Sequence, residues 1–509
     1  MSGKPGATIQ RQIASDLLAY LPAKALPALT PLITVPIYTH LFAPDQFGQY
    51  ILAFGVAELL MAVAITGFSS SAIRFYAPFK RLNHLPAYYS AMFTSSGVMI
   101  ALGAVACGLA LLVFKSHISP DLYSLLWIAI PMFAVSASSE VLMNILRAQE
   151  RSWCFTAMET LNRFGIVAFS LVLVLCLGVG IAGLLWGQFL ALLISTILLL
   201  RLSTRGVPFR FRMSTGKGHL RPIWRFAVLI SLGDVAMWFL RLADRYFIGL
   251  FHDSYEVGLY SVSYNIAARS FFLLVGLFML VPGPIMIRVW EEDGRAAAEK
   301  TLTSLTRYFV LLIVPAGVGL TALGRPIVEL LAADEYVEGS KAIWLVSGAM
   351  MALGIGQLGS LGAILALRSG IIARNQAIAA ITSLVLNVIL IPTWGYMGAA
   401  LSGCLAFGAL AVLQAHSSAA YVTWRWPLRT LRHTVVASAI MGLVVYLVAT
   451  AILKLPGLPQ TPAQIAAILT AVVAGLVVYA LLLWLLGEVS LHSLRQLRVS
   501  EASGVAPLA

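Results

Sequence analysis

Four charged residues crowd one apolar stretch of this 509-residue chain: Asp234, Arg241, Asp244 and Arg245. A charge at the middle of a membrane costs about 2.5–3.5 kcal/mol on insertion scales, so residues kept there need a purpose. Asp234 and Arg241 stand seven positions apart on one helical face, and Arg241 is three and four positions from Asp244 and Arg245. The group can form an internal ion-pair network, or a gate that answers to a cation or a proton. Glu58, with no basic residue three or four positions away, is a candidate for proton or cation coupling.

Arg269 and Lys24 have no acidic residue three or four positions away, and Asn265 is the local polar neighbour of Arg269. A cation in that setting reads as facing a wet cavity, where a guanidinium can grip a diphosphate through its planar fork. Lys24 is nearer a helix end and could instead snorkel to the surface. Glu140 and Arg147, seven apart, read as cavity-lining. Glu159 and Arg163, four apart with the acid first, read as a structural pair. Arg74 sits where an apolar stretch meets the cytoplasm, as a topology charge that could also attract an anionic head group.

Enzyme chemistry is not expected. The chain has no Gly-x-x-x-x-Gly-Lys-Ser/Thr phosphate loop, no His-Glu-x-x-His and no Gly-x-Ser-x-Gly. Its four cysteines form no CxxC pair, so no metal site, cofactor or disulfide framework is expected.

The elements that must carry these residues follow from composition. Apolar residues make up 60% of the chain and charged ones 11%, against roughly 45–50% and 25% in soluble proteins. A spanning helix needs about 20 mostly apolar residues. Fourteen stretches qualify: 17–38, 48–68, 87–114, 121–145, 156–177, 181–200, 224–250, 257–284, 306–323, 342–366, 375–392, 396–421, 434–453 and 463–486. The fold class is therefore all-α integral membrane with about fourteen transmembrane helices.

Charge placement orients them. The tails and even-numbered connections hold 25 of the 34 Lys and Arg residues, whereas odd-numbered connections hold Lys115, Arg325, Lys341 and Lys454. Cytoplasmic loops carry the Lys/Arg excess, so both termini are expected in the cytoplasm. The net charge of +13 is accounted for without nucleic acid. No removable leader is expected, and the first helix would serve as the insertion signal.

The chain also repeats itself. Leu41-Phe42 leads into Phe47-Gly48-Gln49-Tyr50, and Leu250-Phe251 leads into Val257-Gly258-Leu259-Tyr260. Ile181–Gly187 likewise resembles Met397–Gly403. Two similar halves place a transporter's working site between them. The plan is a cytoplasmic tail (1–16), an N-lobe of six helices (17–200), a basic cytoplasmic linker (201–223), a parallel-repeat C-lobe of six helices (224–421), two further helices (434–486) and a cytoplasmic tail (487–509). Pro22, Pro27, Pro31 and Pro36 make the first helix either a bendable gate or a fixed kink.

The run Pro36-Ile37-Tyr38-Thr39-His40-Leu41-Phe42-Ala43-Pro44-Asp45-Gln46-Phe47-Gly48-Gln49-Tyr50, with Lys24 before it, resembles the opening of the Wzx-type polysaccharide transporters. These are oligosaccharide flippases of the multidrug/oligosaccharidyl-lipid/polysaccharide superfamily. Leu242–Gly249 followed by Val257–Ser261 resembles the same family's turn between helices 7 and 8. The resemblance implies an alternating-access transporter, V-shaped, in the bacterial inner membrane. Its cargo would be an undecaprenyl-diphosphate-linked oligosaccharide, moved from the cytoplasmic to the periplasmic leaflet and passed to polysaccharide polymerase machinery. The drive would come from H+ or Na+, membrane potential or the substrate gradient. By helix position, Lys24, Arg74 and Arg269 would correspond to cavity cations of lipid II flippases. A lipid II flippase and a cation-coupled multidrug exporter are the alternatives; exporters normally have twelve helices.

Overall fold

The computed structural model describes residues 33–205, 217–279, 282–454 and 460–488, with no strand among them. A short helix α1 (33–41) opens the described chain. It is followed by α2 (Pro44–Ala64), α3 (Thr66–Arg81), α4 (Leu85–Val113), α5 (Pro120–Ala148), α6 (Ser152–Leu171) and α7 (Ala182–Ser203). Next come α8 (Lys217–Phe251), α9 (Ser254–Met279), α10 (Pro282–Glu292), α11 (Gly294–Ala322) and α12 (Gly324–Leu331). The chain continues with α13 (Ile343–Gly359), α14 (Leu361–Leu365), α15 (Ser369–Ala419), α16 (Leu428–Leu453) and α17 (Gln460–Leu485).

Among the described residues, twelve helical segments are long and apolar enough to cross a membrane. They account for thirteen of the fourteen expected stretches, because 375–392 and 396–421 both lie within α15. The remaining stretch, 17–38, falls mostly outside the described residues, as does Lys24.

Local chemistry starts and breaks these helices. Proline stands in the first turn of α2 and α5, where its missing N–H costs nothing, and Asp45 and Asp121 add favourable negative charge there. After α6 the backbone widens into a π turn over Val172–Cys176, then reverses through Gly178 and Gly180, both at positive φ. At 51 residues α15 would be roughly 75 Å long at 1.5 Å per residue, more than twice a hydrocarbon core. It is two spans folded at Gly395, whose φ of 53° and ψ of −137° suit glycine.

By backbone proximity the chain groups into two compact units, residues 1–262 with 376–402, and residues 263–375 with 403–509. The first contains α8 and the opening of α9, which the repeat-based plan assigns to a second lobe. Hydrogen bonds tie α8 to its neighbours: Trp224 Nε1 donates to Ser95 Oγ (2.9 Å), Trp238 Nε1 to the Gly55 carbonyl (3.2 Å) and Tyr246 Oη to the Leu52 carbonyl (2.8 Å).

The two Gly-x-Tyr steps meet within this unit. A methyl group added at Gly48 would overlap the Ser254 carbonyl, and one added at Gly258 would overlap the Pro44 carbonyl. Each repeat glycine thus lets the start of its own helix press on the start of the other, as small residues do between membrane helices. Glu256 closes the Gly395 bend: its Oε2 accepts from the Tyr396 N–H at 2.9 Å, and its Oε1 faces His252 Nδ1 at 3.2 Å.

In the second unit the hairpin of α16 and α17 packs on α11, where Tyr479 Oη donates to the Leu311 carbonyl (2.8 Å). Just beyond α17, Glu488 receives Arg307 Nη2 (2.9 Å), Thr430 Oγ1 (2.9 Å) and His433 Nδ1 (2.8 Å). Burial alone pushes the Glu488 carboxyl up, but the Thr430 and His433 hydrogen bonds and the Arg307 charge outweigh it and hold it below the usual glutamate range.

Candidate functional site

Within the first unit, α2, α5, α6 and α7 line a half-open polar cavity of about 170 Å³. Helical spacing aims its lining. Phe54, Ala57, Glu58 and Met61 share one side of α2, and Met132, Ser136, Ser139, Glu140 and Met143 share one side of α5. Glu159, Asn162, Arg163 and Ile166 come from α6, and Gln188 and Leu192 from α7. Three carboxylates and one guanidinium give it a formal charge of −2 with every acid ionised. Ionisable residues inside a membrane bundle mark a functional pathway by default, because keeping them there is costly.

The polar groups are only partly matched to one another. Glu140 Oε1 accepts from Ser69 Oγ of α3 (3.2 Å) and from Asn144 Nδ2 (2.9 Å). Arg163 Nε and Nη2 both bond Glu159 Oε1 at 2.9 Å, which is the expected pair. Asn162 is 7% exposed, and among the described residues neither its Oδ1 nor the buried Ser136 Oγ has a hydrogen-bond partner.

A second polar cluster lies where α8 meets α9. Asp244 and Arg245 are 5% and 3% exposed. Asp244 Oδ1 accepts from the backbone N–H and Nη1 of Arg245 (both 2.9 Å), and its Oδ2 accepts from Tyr260 Oη (2.7 Å). Arg245 also donates to Ser261 Oγ (3.2 Å) and to the Arg241 carbonyl (2.7 Å), with its guanidinium 5.3 Å from the centre of the Tyr260 ring. Of the four charges expected on this helix, Asp244 and Arg245 form the one ion pair among the described residues. Arg241 is exposed and turns its Nε to the Met237 carbonyl (3.3 Å), and Asp234 is half-buried.

The expected cavity residues separate. Glu140 and Glu58 line the cavity described above. Arg74 and Arg147 do not; they are exposed on α3 and α5, over the rings of Phe226 (4.8 Å) and Phe155 (6.0 Å). Measured along the helices from the Ser69–Glu140 contact, they lie roughly 7 and 10 Å nearer the basic helix ends. Arg269 is exposed on α9 in the second unit. Asn162, Gln188, Ser136 and Ser139 were not anticipated. Their signal was a polar break in an otherwise apolar helix: Ser136 and Asn162 stand one turn from Glu140 and Glu159, Ser139 is next to Glu140, and Gln188 interrupts α7.

The fold and the polar interior define a multi-pass membrane protein built as transporters are. Residues 13–290 match the model of the polysaccharide biosynthesis protein family. The chain belongs to that family, which bears out the resemblance read from 36–50 and 242–261. Among curated proteins it is similar to a probable low-salt glycan biosynthesis flippase, Agl15, of Haloferax volcanii (strain ATCC 29605 / DSM 3757), with 21% identity over 222 residues. That match covers 44% of this chain and 46% of the relative, so it spans about half the relative's length. Among solved structures, the lipid II flippase MurJ in an inward closed conformation shares the fold at a TM-score of 0.73 and 14% identity, over 92% of this chain and 98% of that one. An inward-facing multidrug resistance MATE family transporter of the MOP superfamily follows at 0.61 and 13% identity, over 78% and 97%.

Proposed function

We propose that this protein carries an undecaprenyl-diphosphate-linked oligosaccharide from the cytoplasmic to the periplasmic leaflet of the bacterial inner membrane by alternating access. The observation that carries the reading is a hydrogen-bonding cavity inside a membrane bundle whose chain belongs to a polysaccharide biosynthesis family. A diphosphate-sugar head group cannot cross hydrocarbon unaided, because its charges and hydroxyls would lose their water with nothing in exchange. The lipid tail can stay in the bilayer while the head group is led through protein.

Arg74 and Arg147, both in the first unit, are assigned to the diphosphate, whereas Lys24 and Arg269 are each assigned, on the sequence alone, as a further cation for an anionic head group. Arg74 and Arg147 stand at helix ends that meet the cytoplasm in the charge-based topology, with both termini on that side. Glu58 is assigned to ion coupling, with H+ or Na+ as the driving ion. Asp234, Arg241, Asp244 and Arg245 are assigned to holding or gating the α8–α9 region. The product leaflet is where polysaccharide polymerase machinery would receive the cargo.

A leaflet-translocation assay in proteoliposomes tests this. The reading expects wild type to expose a diphosphate-linked oligosaccharide lipid on the far leaflet and Arg269→Ala to slow it about tenfold or more, as loss of a charged hydrogen bond would. Export of small cationic drugs by wild type, with no such lipid moved, would overturn it.

A further inference from the structure

The cavity in the first unit is too roomy and too varied for a lone ion. About 170 Å³ is space for roughly six waters, at about 30 Å³ each. No group of three His, Cys, Asp or Glu residues converges on a metal-sized point among the described residues. Its walls instead offer what a sugar ring requires. Glu140 can accept hydrogen bonds from hydroxyls, the amides of Asn162 and Gln188 are donor and acceptor types, and Phe54 offers an apolar surface for ring C–H groups. Asn162 and Ser136 also line it, although Asn162 Oδ1 and Ser136 Oγ are themselves buried behind the wall.

Charge sharpens the chemistry. With three carboxylates against Arg163, the cavity repels a further anion. On the proposed flippase reading, we infer that it seats a sugar ring of the cargo and discriminates by charge, accepting neutral and amino-bearing rings and rejecting carboxylated ones. One like charge at about 10 Å, with an effective dielectric near 20, supports a rejection of about tenfold or more. The diphosphate would keep clear of this acidic pocket by lying nearer Arg74 and Arg147.

The test uses the full-length protein in detergent and three methyl glycosides: a neutral hexoside, its 2-amino analogue and the matching hexuronide. Saturation-transfer NMR should show the first two binding and the hexuronide weaker by about tenfold or more. Glu140→Gln keeps the shape of the wall, removes one charge and should narrow the gap. Gln188→Ala should weaken all three together. Equal binding of the three sugars, or no sugar binding beside a sodium-dependent signal, would overturn the inference. Translocation of lipid-diphosphate-linked versions in proteoliposomes then separates the two claims. Equal rates for all three sink the charge selection and leave the flippase standing, whereas selective binding without translocation sinks the flippase and leaves the sugar site.

Discussion

Replacing Asp244 by Asn should destabilise the protein severely. Asp244 and Arg245 are almost fully buried, and Asp244 also receives the Tyr260 hydroxyl at 2.7 Å. Removing one member of a buried pair leaves the other charged and unmatched, which costs about 3–5 kcal/mol. Arg245 would keep Ser261 Oγ and the Arg241 carbonyl, both neutral partners. Tyr260→Phe removes a single hydrogen bond to a charged group, about 1.5–3 kcal/mol. Ser261→Ala should cost about 0.6 kcal/mol, the average for side-chain hydrogen bonds between membrane helices. The predicted order is therefore Asp244→Asn, then Tyr260→Phe, then Ser261→Ala. Unfolding midpoints in a denaturing-detergent titration, followed by gel filtration, measure it. The Asp244→Asn/Tyr260→Phe double variant should lose less than the sum of the singles, since both act on one carboxylate. Wild-type stability in Asp244→Asn, together with lost transport, would refute the argument and give the pair to gating alone.

Other sites give independent outcomes. Gly48→Ala and Gly258→Ala should each cost about 1–3 kcal/mol by overpacking the α2–α9 contact, whereas Gly97→Ala, with open space at its Cβ, should be neutral or stabilising by up to about 1 kcal/mol; the same titration reads all three. Glu488 is held below the usual glutamate range, so its contribution is fully present above about pH 4.3 and is lost as pH falls through its folded value. The stability gap between wild type and Glu488→Gln should accordingly narrow as pH falls below about 4.3. Arg74→Ala with Arg147→Ala should weaken transport about tenfold or more while leaving the unfolding midpoint near wild type, because both side chains are exposed.

Much of the fold was legible because a membrane helix announces itself by length. Thirteen apolar stretches became helical spans, and the Glu159–Arg163 pair followed from a spacing of four. The repeat glycines were visible as a motif, and only the packing shows that Gly48 and Gly258 serve one contact. Spacings of seven are harder to read. Asp234 with Arg241, and Glu140 with Arg147, share helical faces, but seven residues also mean about 10 Å along the axis. That distance puts Arg147 over Phe155 while Glu140 turns into the cavity, and it leaves Arg241 bonded to a carbonyl one turn away. The convergence of Glu58, Glu140 and Glu159 depends on which faces of α2, α5 and α6 meet. Apolar periodicity is weak in membrane helices, whose outer surface faces lipid, so that pairing of faces was not readable from the chain.

The most direct test is the rate at which a diphosphate-linked oligosaccharide lipid appears on the far leaflet of proteoliposomes holding wild type or Glu140→Gln, with and without an imposed proton or sodium gradient. Wild type should move a lipid with a neutral sugar, and faster with the driving gradient. Glu140→Gln, inserted equally well, should move that lipid more slowly and discriminate less against a carboxylated sugar. Wild-type protein that moves no such lipid under any gradient, or a Glu140→Gln variant indistinguishable from it on every sugar, would contradict the account.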